Sequence, residues 1–305
     1  MRSQLATFDS SSHLMNESPR PIPLFSEEVA KCLSAFSQWM QQKRYSTSTI
    51  STYLSFVRQF FAHTGLMPLE ITLESIEQYN YQQFIKVRKS YATQNQWINA
   101  IKLFLKVNQL DIGDLNQIER PRRRRVLPNV LSPEEVQTLL LNTPNLKHRT
   151  LLMVIYGAGL RIGEALRLTI HDISSEEWLI YIRGGKGKKD RRVPLSPKLL
   201  EAMRRYYKAY RPKRYLFEGM NGKPYTSGSA ARVLHRAAAK AGITKHITLH
   251  TLRHSYATHL TNNGVNIQYL QEILGHNSPK TTMLYTHLSG KDIKNIKSPL
   301  DDMDL

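Results

Sequence analysis

From Ser26 onward, apolar and polar residues alternate with the period of a helix. Val29, Cys32, Leu33, Phe36 and Trp39 or Met40 fall on one face, and Ser26 ahead of them is of the type that caps a helix start. A second stripe begins near Ser46 and runs through Ile50, Tyr53, Leu54, Val57, Phe60 and Phe61. A third passes through Leu73, Ile76, Phe84 and Val87, and a fourth through Trp97, Ile98, Ile101, Phe104 and Leu105. Four amphipathic helices with short connections predict a compact bundle over residues 26–118.

The pattern breaks on either side of this bundle. Residues 1–25, with Ser10-Ser11-Ser12 and Pro21-Ile22-Pro23, have no apolar period and are expected to form a flexible tail. Residues 119–130 contain Glu119-Arg120-Pro121-Arg122-Arg123-Arg124-Arg125 and Pro128, which cannot bury themselves and read as an extended basic linker. Four consecutive arginines fit a solvated hinge and a strand tracking a nucleic-acid backbone equally well.

A second domain, residues 131–305, opens with Ser132-Pro133-Glu134-Glu135, which supplies a cap, a proline at the first helical position and a glutamate at the third. The apolar run Leu151 to Ile155 ends at Gly157-Ala158-Gly159. Arg161 then starts a segment with Ile162, Ala165, Leu166 and Leu168 on its apolar side, where a helix start would favour an anion. Trp178–Ile182 and Arg191–Leu195 are rich in β-formers and flank Arg183-Gly184-Gly185-Lys186-Gly187-Lys188-Lys189-Asp190, predicting a β-hairpin with a basic tip. That glycine-rich tip is not a nucleotide loop, because no Gly-Lys-Ser/Thr stands at the required spacing. Helices are expected over Pro197–Tyr210 and Ala230–Ala241, with a short strand at Tyr215-Leu216-Phe217 between them. The fold class is mainly α: an N-terminal four-helix bundle, then an α+β domain, largely helical, that carries a small antiparallel sheet.

Charge narrows the partner. The 305 residues carry 43 Lys+Arg against 24 Asp+Glu, a formal net charge of +19. Up to Arg125 there are 16 basic and 10 acidic residues, against 27 and 14 after it, so both halves are positive. A lone basic tail would suggest an appended anchor, whereas two positive domains suggest a clamp on nucleic acid. Lys43, Arg44, Tyr45, Ser46, Thr47, Ser48 and Thr49, a basic pair and a run of hydroxyls at a helix start, are the first candidates for phosphate contact in the bundle. Cys32 is the only cysteine, so no intrachain disulfide forms and a cytoplasmic location is expected. No membrane partner is expected, because no apolar run approaches the roughly 18 residues of a span.

Candidate chemistry concentrates between His250 and Tyr285. His250 and Arg253 are three apart and share a helical face. His246, His250 and His254 are spaced by four, but a zincin helix needs glutamate where Thr251 stands, and Arg253 would repel a cation. No metal is therefore assigned, and His254 and His259 read as structural. Arg161 and Arg253 could together hold the two nonbridging oxygens of one phosphodiester. Each residue alone has an ordinary explanation, the arginines at the surface and Tyr285 in packing; the ordered set carries the reading.

That set resembles the tyrosine recombinase (phage integrase) family. The resemblance rests on Ala158-Gly159-Leu160-Arg161-Ile162-Gly163-Glu164, on Gly185-Lys186-Gly187, on the run from Leu249 to Leu260, on Leu274-Gly275-His276 and on Tyr285-Thr286-His287. It covers the whole second domain, in the family order, and would make the bundle a core-binding domain and residues 131–305 the catalytic domain. The resemblance implies that Tyr285 attacks the scissile phosphate to form a 3′-phosphotyrosyl link. It further implies that Arg161 and Arg253 clamp the phosphate, that His250 assists proton transfer with Tyr285, and that Lys186 protonates the leaving 5′-oxygen. His276 would hydrogen-bond a phosphate oxygen and Glu164 would orient its neighbours. Such chemistry needs no cofactor.

The implied partners are double-stranded DNA recombination sites, engaged as a homotetramer, with or without a second recombinase. Gly242–Leu260 and Lys297-Ser298-Pro299-Leu300-Asp301 resemble integron integrases, although the stretch between Tyr225 and His250 lacks their inserted segment. The rest resembles Xer-type enzymes and mobile-element integrases. A DNA-binding protein without chemistry and a type IB topoisomerase-like enzyme are the competing functions. Beyond Tyr285, the apolar stripe Ile293, Ile296 and Leu300 would dock on a neighbouring protomer.

Overall fold

The computed structural model describes residues 25–121, 128–184, 190–276 and 278–283. The expected N-terminal tail, the Arg122–Arg125 run, Lys186, Tyr285 and the apolar stripe beyond it lie outside the described residues. The chain divides into two compact units, Met1–Arg125 and Val126–Leu305. No helix among the described residues is long and apolar enough to cross a membrane.

The first unit holds helices α1 (Glu27–Gln42), α2 (Thr47–Thr64), α3 (Leu73–Asn80) and α4 (Tyr91–Val107). Each starts on a hydroxyl: Ser26, Ser46, Thr72 and Ser90 accept from the backbone N–H three residues on. This satisfies one of the donors a helix start leaves open. The buried stripes are those of the sequence pattern, with Phe36, Phe60, Phe104 and Trp97 at the centre and Cys32 packed at the margin.

The third stripe departs from expectation. α3 stops at Asn80 and continues as a π turn, Tyr81–Ile85, in which the Lys86 N–H reaches back to the Tyr81 carbonyl; Val87 is left exposed. The wider turn inserts one extra residue, which brings Phe84 back beside Tyr79 and Trp97, and burial of that ring outweighs regular α geometry.

The second unit is built around α6 (Leu146–Gly157), which buries Thr150, Leu151, Leu152, Val154 and Ile155. A helix apolar on most sides needs neighbours on most sides. α5 (Pro133–Leu141), capped reciprocally by Ser132 and Glu135, precedes it, and α7 (Ile162–Arg167) follows. Strands β1 (Ile173–Ser174), β2 (Leu179–Ile182) and β3 (Arg191–Pro194) form an antiparallel sheet in that order, with Ile182 opposite Arg191 and Ile180 opposite Val193. β2 and β3 are the expected hairpin; β1 is too short to stand out in sequence. The remaining helices are α8 (Pro197–Tyr210), α9 (Ser227–Lys240), α10 (Leu249–Asn262), α11 (Ile267–Leu274) and α12 (Pro279–Met283).

The expected strand at Tyr215–Phe217 is a single bridge from Tyr215 to Thr169. Leu216 and Phe217 are consecutive and both buried, which a strand with one wet face does not allow.

Candidate active site

The site is assembled where the end of α6, the start of α7, the foot of β3, the first half of α10 and the end of α11 meet. α6 ends at Gly157, and the turn after it requires glycine. Gly159 has φ +61°, and a Cβ there would lie 2.5 Å from the Tyr256 ring. The Gly159 carbonyl accepts from Arg253 Nη1 at 2.6 Å.

Thr248 and Thr251 cap α10 reciprocally, which sets His250 and Arg253 one turn apart. Arg253 is fully buried. Its Nη2 donates to the Leu274 carbonyl at 2.5 Å and lies 3.2 Å from His276 Nε2.

The Leu274-Gly275-His276 motif is the stop of α11. Gly275 takes φ +60°, its N–H returns to Glu272 and that of His276 to Gln271. Three successive carbonyls at this corner each receive a different arginine. Arg191 Nε donates to Ile273 at 2.8 Å, Arg253 Nη2 to Leu274, and Arg161 Nη2 to Gly275 at 3.1 Å. Positive groups at a helix C-terminus also match its dipole.

One carboxylate joins the same three arginines. Glu164 takes Arg191 Nη1 on Oε1 and Arg191 Nη2 on Oε2, each at 2.8 Å. It takes Arg161 Nη1 on Oε1 at 2.9 Å and the Arg161 backbone N–H on Oε2 at 2.8 Å, and Arg253 Nη1 stands 3.9 Å from Oε2. Burial pushes the Glu164 carboxyl up, but Arg191, then the backbone and side chain of Arg161, outweigh it and hold the group at about 2. The helix start expected to favour an external anion is thus capped from within: Glu164 already occupies the Arg161 N–H. It is the arginine side chains that leave the cluster positive.

His254 and His276 are held neutral at pH 7. Burial first, then Arg253 and Arg161, lower His276 to about 3, and burial, His250 and Arg253 lower His254 to about 4. His250 keeps an edge open to solvent, yet packing of its ring, then Arg253, then Arg161, hold it below the ordinary histidine value. Because arginine only donates, His276 Nε2 accepts, so Nδ1 carries the proton and donates to Thr282 Oγ1, 3.0 Å away. His276 therefore faces Arg253 and Thr282. His259 is a strut, as expected: its Nε2 donates to the Leu131 carbonyl and its Nδ1 accepts from the Tyr156 hydroxyl, both at 2.9 Å.

Of the residues singled out in the sequence, Arg161, His250, Arg253 and His276 converge, with Glu164 and His254 beside them. Lys186 and Tyr285 lie outside the described residues, but the stem of the Lys186 hairpin is closed by Gly184 N–H donating to Asp190 Oδ1 at 2.7 Å. Among the described residues no group of three His, Cys, Asp or Glu side chains could hold a metal ion. Sequence reading missed Arg191. Its signal is alternation along β3: Val193 is buried, Arg192 is exposed, and Arg191 shares the inward face of Val193. An arginine on an inward face requires a counter-charge.

Known proteins resemble this chain over most of its length. The Phage integrase family profile matches residues 129–291, and that of the phage integrase N-terminal SAM-like domain matches residues 32–112. The chain belongs to the phage integrase family, the tyrosine recombinases, and is a site-specific recombinase, an enzyme that cleaves and rejoins DNA strands.

It is 33% identical over 282 residues to a tyrosine recombinase of Thermosipho africanus, covering 86% of this chain and 96% of that one. The tyrosine recombinase XerA of Pyrococcus horikoshii is 33% identical over 268 residues, covering 86% and 90%. The crystal structure of XerA recombinase is 33% identical with a TM-score of 0.51, over 86% of this chain and 95% of that one. The XerH site-specific recombinase bound to difH substrate before cleavage shares the fold, with a TM-score of 0.67 at 21% identity, over 88% and 96%.

Proposed function

We propose that the second unit cuts one DNA strand with Tyr285 and that Arg161, Arg253, His250, His276 and Lys186 complete the reaction. The observation that carries this reading is the charge of the described cluster. Three arginines share one carboxylate, and the histidines among them are neutral, so two positive charges are left over. A phosphodiester carries one negative charge and gains a second as a nucleophile adds, so a surplus of two is matched to the transition state rather than the ground state.

In the reaction the Tyr285 oxygen bonds to phosphorus and the bond to the 5′-oxygen breaks. His250 takes the phenol proton and Lys186 supplies a proton to the leaving 5′-oxygen. A 5′-hydroxyl of a partner strand reverses these steps, so the phosphodiester energy is kept and no nucleotide cofactor is needed. The substrate is duplex DNA carrying recombination sites, held by both basic units, with four copies of the chain assembled on two sites in the cytoplasm. The DNA complex of the XerH relative supports a DNA substrate of this kind.

The test is a nicked suicide duplex from which the short fragment bearing the released 5′-hydroxyl diffuses away after cleavage. A covalent protein–DNA adduct should accumulate with the wild-type chain and vanish in Tyr285→Phe, while Arg161→Ala lowers its rate about 100-fold or more, the scale of losing one preorganised charge donor. An adduct that survives in Tyr285→Phe overturns the assignment of the nucleophile.

A further inference from the structure

We infer that Arg191 is a positioning residue for strand cleavage: it takes the Glu164 carboxylate in its own fork and so keeps that carboxylate from neutralising Arg161 and Arg253. The inference rests on the proposed clamp and adds a residue to it. The Arg191 side chain is 7% exposed and that of Glu164 3%, against 24% for Arg161. All three nitrogens of the Arg191 guanidinium are engaged, Nε on the Ile273 carbonyl and Nη1 and Nη2 on the two oxygens of Glu164. With every nitrogen tied to protein and 7% of the side chain exposed, this guanidinium is held inward instead of being offered to a phosphate.

The consequence is electrostatic. Glu164 orients Arg161 through its backbone N–H and Nη1 and stands 3.9 Å from Arg253. With no other partner, its full negative charge would fall on those two guanidiniums and halve the positive surplus of the cluster. Arg191 supplies the missing charge from the side away from the surface and meets the carboxylate end-on, the bidentate geometry that holds a carboxylate most firmly. Glu164 can then position the clamp without cancelling it. Arg191 also holds the Ile273 carbonyl, next to the two carbonyls that fix Arg253 and Arg161, so one residue serves charge and geometry together.

The two contributions separate in a rescue experiment on full-length protein with the suicide duplex, following the rate of adduct formation, with single-site DNA binding by gel shift measured alongside. Arg191→Met should slow adduct formation about 100-fold, the loss typical of one preorganised charge, while single-site binding is unchanged. Combining it with Glu164→Gln restores the surplus of two and should bring the rate back to within about 10-fold of wild type, because coupled partners are non-additive. Arg191→Lys keeps the charge without the fork and should also stay within about 10-fold. This variant decides the matter if Arg191→Met does not fold.

Wild-type rates in Arg191→Met, a double variant no faster than Arg191→Met alone, or Arg191→Lys as slow as Arg191→Met would each overturn the inference. Failure of the wild-type chain to form any adduct would instead strike at the proposed function.

Discussion

At the scale of single residues, the site is an exercise in keeping charges uncompensated. Neutral histidines among arginines have a stability consequence that follows from sign alone. His254 and His276, lowered to about 4 and about 3 from an ordinary 6.5, refuse protons that the unfolded chain accepts. Their contribution is intact above pH 6.5 and is lost as pH falls from there toward about 4 for His254 and about 3 for His276, at up to about 1.4 kcal/mol per pH unit for each histidine. The second unit should melt several degrees lower at pH 5 than at pH 7, and His254→Gln should flatten that slope in thermal scans across the range.

Glu164 behaves oppositely in position but not in direction: its stabilising ion pairs persist down to about pH 4.5 and fail only as pH drops through about 2. The residues that contact one another most closely here were unevenly visible in sequence. Arg161, Arg253 and His276 stand inside short motifs, whereas Arg191 is one of two adjacent arginines beside a lysine-rich loop. Only the inward face of a strand distinguishes it from Arg192, and that face is set by tertiary pairing.

Elements show what local pattern can and cannot specify. Caps at Ser26, Ser46 and Ser132 and the hairpin flanks were legible because they depend on neighbours within four residues. The π turn after α3 and the bridge at Tyr215 were not, since each is dictated by burial of aromatic or apolar side chains against distant partners. The α11 stop combines both kinds of information. Gly275 is required by its φ of +60° and by Arg191, whose Cδ would lie 2.9 Å from an added Cβ. Gly275→Ala should therefore cost about 1–3 kcal/mol in backbone strain and slow adduct formation more than Gly65→Ala. Gly65 has a similar φ of +68°, but an added Cβ there meets no atom within 4 Å. Paired melting and suicide-duplex assays check this; equal rates in the two variants would detach the α11 stop from catalysis.

For the whole molecule, two positive units joined by an arginine run make binding a question of counterions. If Arg122–Arg125 track the phosphate backbone, replacing all four with alanine should reduce the dependence of log affinity on log salt by up to about 0.9 per lost phosphate contact. An unchanged slope and affinity would leave the run a tether. The division into two units was legible in the break in apolar period, a feature that survives without any knowledge of the fold. The proposed assembly of four copies on DNA would depend on surfaces that no local pattern encodes.

The arginines at the end of α11 hold main-chain oxygens of Ile273, Leu274 and Gly275, not side chains. Atoms common to every amino acid cannot be lost by substitution. Positions 273 and 274 are thus free to drift with the packing around them, while the three arginines keep their aim as long as the chain turns at a glycine. Such a site is robust to point change and fragile to insertion: one residue added between Gln271 and Gly275 would hand every arginine the wrong oxygen at once.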